Sequence, residues 1–201
     1  MQTRHTYLII ALLLVSSISF AQPDSLWSRT YGGIEGDYCC DALRTADGGY
    51  LLAGTTNSYG EGASDFWIVK TDESGDSLWS RTYGSQASES CNDAIQTSDG
   101  GSVLAGTVHE NLNPDVWVVK TNGVGDSLWS WRFDGGGEDH CDGVIQANNG
   151  DYVIAGRTQI SEYDTDLLLV KMDTDGDSIW SRTYGGIYSD DCQGVIQTDD
   201  G

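Results

Sequence analysis

Any chemistry in this chain of 201 residues has to come from its cysteines, its histidines or its acids. Four of the five cysteines, Cys39, Cys91, Cys141 and Cys192, return at a near-constant spacing, and Cys40 stands beside the first. Each of the four lies four residues before Leu43, Ile95, Ile145 or Ile196, on the apolar side of its segment. They read as small buried hydrophobes. Equivalent points on neighbouring units are seldom within the ~4.4 to 6.8 Å between Cα atoms that a disulfide requires, so reduced thiols are expected. His140, in Glu138-Asp139-His140-Cys141-Asp142, has metal-site neighbours in type, yet adjacent residues of a strand point to opposite faces. No G-x-S-x-G, H-E-x-x-H, Walker or Cys-x-x-Cys motif occurs, and the three histidines share no spacing.

Two sets of acids have spacing of their own. Asp173, Asp175 and Asp177 in Asp173-Thr174-Asp175-Gly176-Asp177 approach the D-x-D-x-D-G type of calcium loop, in which closely spaced carboxylates supply hard oxygen ligands. The counterpart at Asp72 to Asp76 keeps three acids, but Asn122 to Asp126 keeps one. A hairpin turn with Asp or Asn first and Gly at the positive-φ position explains all three. Calcium at Asp173, Asp175 and Asp177 is the other reading. Asp65, Asp115 and Asp166 each precede an apolar block and read as loop braces, or as an acidic ring at one end of the fold. Lys70, Lys120 and Lys171 are their expected ion partners.

The elements that position these groups come from a repeat, which decides the fold before any local motif does. DSLWSRTYGG at Asp24 returns at Asp76, Asp126 and Asp177, in steps of 52, 50 and 51 residues. Blocks beginning at Cys39, Gly49 and Asp65 keep the same phase. All are short, rich in β-branched and aromatic residues, and bounded by turn residues, so each reads as a strand. Asp47-Gly48, Asp99-Gly100 and Asn149-Gly150 are tight-hairpin dipeptides. Strands are expected at Cys39 to Thr45, Tyr50 to Thr56, Asp65 to Thr71 and Asp76 to Tyr83, and at their equivalents in the later repeats.

In Asp65 to Thr71 apolar residues fall on both faces, as Phe66-Ile68 and Trp67-Val69. A sheet with one wet face would not look like this. Four-stranded antiparallel sheets covered on both faces by copies of themselves are the blades of a β-propeller. The expected fold is all-β, a partial propeller forming an open arc, with repeats 24–75, 76–125, 126–176 and a part at 177–201. Its first piece is a lone fourth strand, Asp24 to Tyr31. About three and a half periods are too few to close a ring, so the chain reads as the front part of a longer protein.

Trp27, Trp79, Trp129 and Trp180 share one repeat position, and Trp67 and Trp117 share another that Leu168 fills in the next repeat. Groups repeated in every blade are expected between blades. Trp131 is unlike the rest because it stands where other repeats have Arg29, Arg81 and Arg182. With His140 it is the candidate ligand contact.

The pattern W-S-R-T-Y-G-G, then D-G-G-Y-L-L-A-G-T-T, then D-F-W-I-V-K-T-D resembles the repeats of large secreted bacterial propeller proteins, many of which end in a type IX secretion sorting domain. The hairpin K-T-D-E-S-G-D-S-L-W is similar to the tryptophan-docking turn of quinoprotein-type propellers, in which one Trp per blade packs against the neighbouring blade. The resemblance implies fold and export. Members of the family mostly have no assigned activity.

Composition narrows the function classes. With 26 Gly, 2 Pro and 20% charged residues the chain is not disordered, collagenous or a coiled coil. A net charge of −21 opposes nucleic acid and other phosphate-bearing partners. Residues 1–21 read as a signal peptide: Arg4 and His5, an apolar run from Leu8 to Val15, then Ser19-Phe20-Ala21. That run is too short to span a bilayer. The mature chain, 22–201, is therefore expected to be secreted or at the cell surface, with no membrane insertion. It reads as a non-catalytic binding or scaffold module for an extracellular protein or glycan, without a cofactor unless calcium binds. The alternative is a propeller enzyme with one site at the central channel.

Overall fold

The computed structural model describes residues 27–110 and 113–199, and every regular element in that span is a strand. The expected signal peptide lies outside the described residues. Twelve strands run in order: β1 (Asp37–Arg44), β2 (Tyr50–Thr56), β3 (Asp65–Thr71), β4 (Ser77–Tyr83), β5 (Ser88–Gln96), β6 (Ser102–His109), β7 (Asp115–Thr121), β8 (Ser127–Phe133), β9 (Asp139–Gln146), β10 (Tyr152–Ser161), β11 (Asp164–Met172) and β12 (Ser178–Tyr184). They form three sheets, β1 to β4, β5 to β8 and β9 to β12, each strand antiparallel to the next. This is a partial, open β-propeller of three blades. The second and third strands of the first blade have the expected bounds; β1 starts two residues earlier and β4 one residue later than expected.

The turns form as their residue types require. Gly48, Gly100 and Gly150 take φ of 89°, 83° and 93°, a region L side chains avoid. In the hairpin between third and fourth strands, Oδ1 of Asp72, Asn122 and Asp173 accepts the two backbone N–H groups two and four residues on, all at 2.9 to 3.0 Å. Asn serves as well as Asp because only one oxygen is used.

Blades meet face to face. Leu51, Ala53, Phe66 and Ile68 of the first pack on Cys91, Ala94, Leu104 and Val119 of the second. At the same repeat positions Val103, Ala105, Val116 and Val118 of the second pack on Cys141, Val144, Ile154 and Val170 of the third. Only the middle blade has a neighbour on each side, and it alone buries seven consecutive residues, Ser102 to Val108, in its second strand. In β2 the equivalent stretch begins by alternating between buried and half-buried. Two-faced apolarity in the sequence is thus satisfied fully in one blade and by halves in the others.

A second contact ties the outer edges. The Trp79 ring of β4 lies over Gly125, in the β7–β8 turn of the next blade, and a Cβ there would come within 2.7 Å of it. Trp27 sits likewise on Gly75, and Trp129 on Gly176, where its Nε1 also donates to Thr174 O at 3.1 Å. The Tyr83 hydroxyl donates to Gly125 O at 2.7 Å, and that of Tyr31 donates to Gly75 O. Glycine is needed twice over at these turns, for close approach and for φ of 77° to 89°. Trp180 instead lies under the Arg182 guanidinium, 5.0 Å from its centroid. Of the second tryptophan set, Trp117 packs 4.7 Å from Phe66 across the first interface, and Leu168 is fully buried at that position in the second. Trp67 lies 5.7 Å from Tyr59.

Three expectations are corrected. The described part of the lone strand, from Trp27 to Tyr31, is not a strand; it is held by Trp27, by Tyr31 and by an Arg29–Asp76 ion pair of 3.1 Å. The equivalent of a first strand around Cys192 does not form either, although it follows the third blade as β9 follows the second: Asp190 N donates to Thr165 O at 2.7 Å, as Asp139 N does to Pro114 O. Among the described residues neither segment has a ladder partner to satisfy its backbone. The lysines do not pair with Asp65, Asp115 and Asp166. Lys70 binds Asp47, Lys120 binds Asp99 and Lys171 binds Asp151, at 2.8 to 2.9 Å. Each lysine stands five residues beyond its expected partner, so roughly 16 Å of strand separates them, whereas the acid of the first hairpin is alongside. Against the upward push of burial, Lys120 and Thr97 hold the Asp99 carboxyl down to about 2.

Substituting Trp79 by Ala should lower unfolding free energy by about 2–4 kcal/mol, somewhat less than for a fully enclosed ring because one side stays wet. The same change at Trp180 should cost under about 1 kcal/mol. Denaturant unfolding of both variants checks the difference.

Candidate functional site

Two places gather polar or reactive groups from more than one blade. The first is the open axis, faced by the innermost strands. Each of these strands carries a one-residue β-bulge, at Cys40 in β1, Asn92 in β5 and Asp142 in β9. A bulge adds a residue on one strand and re-aims its side chain. Here it sends that side chain to the next blade: Cys40 Sγ lies 3.5 Å from Cys91 Sγ, and Asn92 Nδ2 donates to Cys141 O at 2.6 Å. Tyr38, Cys40, Asn57, Ser90, Asn92 and Asp142 are among the residues around a cavity of 720 Å³ on this axis.

The cysteines divide accordingly. Cys91 and Cys141 are buried, Cys39 is exposed and Cys192 is half-buried. Burial on one face therefore holds only where a preceding blade covers it. The hydrogen bond shared with Cys40, together with burial, pushes the Cys91 thiol well up, while the same bond pulls Cys40 down. Burial also raises Cys141. Cys40 approaches a thiol of the next blade because the bulge moves it out of the regular alternation.

The second place is the end of the blades where first and third strands begin. Carboxylates meet there at each junction: Asp65 with Glu89, Asp115 with Asp139, and Asp166 with Asp190. Gly84 is wedged against Asp65 and Glu89, and Gly185 against Asp166 and Asp190. At the middle junction Asp134 occupies the position of those glycines. One oxygen each of Asp115, Asp134 and Asp139 lies within 4.8 Å of the others, the one such trio among the described residues. Burial, with the Glu89 charge, raises the Asp65 carboxyl. Burial and the Asp134 charge raise Asp115. Burial raises Asp139 against the pull of the Thr158 hydroxyl and the Gly135 amide.

The residues singled out in the sequence are placed apart. Trp131, in the outermost strand of the second blade, pairs with Val118 and packs beside Phe133 against the second interface. His140, in the innermost strand of the third blade, faces Arg157 in the ladder and lies 4.0 Å from Glu138. Burial and Arg157 lower its pKa. The two do not share a site. Asp173, Asp175 and Asp177 do not form such a trio among the described residues; Asp173 Oδ1 accepts the backbone amides of the other two. Of the trio that does gather, the sequence reading singled out Asp115 alone. The signal for Asp134 was its replacement of Gly32, Gly84 and Gly185, and for Asp139 its alignment with Asp37, Glu89 and Asp190.

A thiol reagent applied to the native protein should modify Cys39 rapidly and leave Cys91 and Cys141 unmodified until denaturant is added. Peptide mapping by mass spectrometry reads the order of labelling.

No family model matches the sequence, and no curated protein is similar to it. Among solved structures the fold is similar to that of a protein of unknown function from Bacteroides caccae, with a TM-score of 0.53 and 16% identity over 85% of this chain. The match spans 53% of that protein, so this chain corresponds to about half of its length.

Proposed function

We propose that the chain is an exported, non-catalytic propeller module that binds an extracellular protein or glycan, or spaces other parts of a surface protein, through the end of its blades where the acids converge. The observation that carries this reading is a contrast between the repeated and the varied parts. Recurring tryptophans, lysines and turn acids close onto their own or the next blade. The connections between second and third strands vary instead, from 57–64 to 110–114 to 162–163. Binding residues concentrate on such loops when a rigid scaffold holds them.

Exposed apolar and aromatic tips stand on the loops and strand ends here: Ile34, Tyr59, Ile160, Tyr163, Ile187 and Tyr188. Tyr163 is 83% exposed. Tyrosines beside carboxylates suit a glycan or a basic protein surface, since the ring stacks while its hydroxyl and the acids accept or donate. Export rests on the leader Met1–Ala21, and a bacterial surface setting on the resemblance of the repeats to secreted bacterial propellers.

Two measurements test the reading. N-terminal sequencing of the exported protein should begin at Gln22. On a glycan array and a panel of purified basic extracellular proteins, the Tyr59→Ala, Tyr163→Ala, Tyr188→Ala triple variant should lose at least ten-fold in binding with an unchanged melting temperature. Binding that survives the triple variant, or turnover of a substrate mapped to the axial cavity, overturns the proposal.

A further inference from the structure

We infer that Asp115, Asp134 and Asp139 form a binding site for a hard divalent cation of the calcium class at the junction of the second and third blades. Three elements supply the ligands: Asp115 opens β7, Asp134 lies in the β8–β9 connection and Asp139 opens β9. Their oxygens lie within 4.8 Å of one another, and no histidine or cysteine joins them. An all-carboxylate set selects calcium or a similar oxygen-seeking ion over zinc or copper.

Proximity of acids alone would not make a site, and Asp139 supplies the independent observation. It is completely buried; its Oδ2 accepts from the Gly135 amide, and its Oδ1 has no hydrogen-bond partner among the described residues. A buried carboxylate oxygen left unpaired is costly, and a cation drawn to the trio removes that cost. Arg132, whose charge acts on Asp115, is itself engaged with Glu110 at 2.6 Å.

The other junctions provide an internal comparison. They carry two carboxylates and a glycine, at Gly84 and Gly185, where this one carries Asp134. Glu89 Oε2 and Asp166 Oδ1 also lack a partner there among the described residues, but only two carboxylates face each other at each of those junctions. Asp134 adds a third here. It raises the local charge to the level at which calcium loops operate, with water completing the six to eight oxygens the ion takes.

Isothermal calorimetry of the full chain with calcium chloride tests the site. The wild type should show one saturable binding event per chain. Asp134→Gly, which restores the residue the other junctions hold, should abolish it or weaken it at least ten-fold. Asp134→Asn keeps the side-chain volume and should give the same loss if glycine disturbs the fold. Asp173→Asn, in the hairpin turn, should bind as the wild type does. Absence of a saturable event in the folded wild type overturns the inference, as does wild-type affinity in the Asp134 variants or loss of binding in Asp173→Asn.

Discussion

A sheet that is apolar on both faces is insoluble by itself, and most features of this fold follow from that constraint. Each blade presents aliphatic residues to either side, so it must be covered on either side. Val103, Ala105, Val116 and Val118 look one way from the second blade, and Cys91, Ala94, Leu104 and Val119 look the other. The second and third strands of the second blade contribute alternately to two interfaces, so neither belongs to a single core. Stability is therefore shared between neighbours, and the contacts at the outer edges, Trp79 on Gly125 and Trp129 on Gly176, join the same blades a second time.

The two ends of the blades differ electrostatically. At one, each acid of the first hairpin is matched by a buried or half-buried lysine from the third strand, as with Asp99 and Lys120. Charge there is locally balanced and helps to hold the turn. At the other end acids face acids, burial raises several of them, and some oxygens have no donor among the described residues. Groups held in this way mark functional ends of folds more often than structural ones. Variable loops occupy the same end.

How much of this was legible in the sequence depends on how far apart the partners lie. Period, strands and hairpins were readable because their signals are local: Asp47-Gly48 and its copies, the alternation in Asp65 to Thr71, and the 50 to 52 residue steps. The bulges were not, since Cys40, Asn92 and Asp142 look like ordinary strand residues until the ladder skips them. Lysine pairing was misread by matching the nearest recurrent acid in sequence, whereas a hairpin brings the far acid alongside. The carboxylate trio joins residues of two blades, and only a comparison of Asp134 with the glycines at its repeat position hinted at it.

Docking of a tryptophan on the following blade's turn has a direction. The blade that projects the ring is always the one before the blade that receives it, so donor and acceptor lie in different blades, Trp79 with Gly125 and Trp129 with Gly176. A lesion in one turn is consequently felt in the preceding blade. Duplication of a whole repeat adds one donor and one acceptor together, and every interface in the lengthened array finds its match. Such a gene can grow by copying without inventing a new joint, and the near-identical repeats at Asp24, Asp76 and Asp177 are what growth of that kind leaves behind.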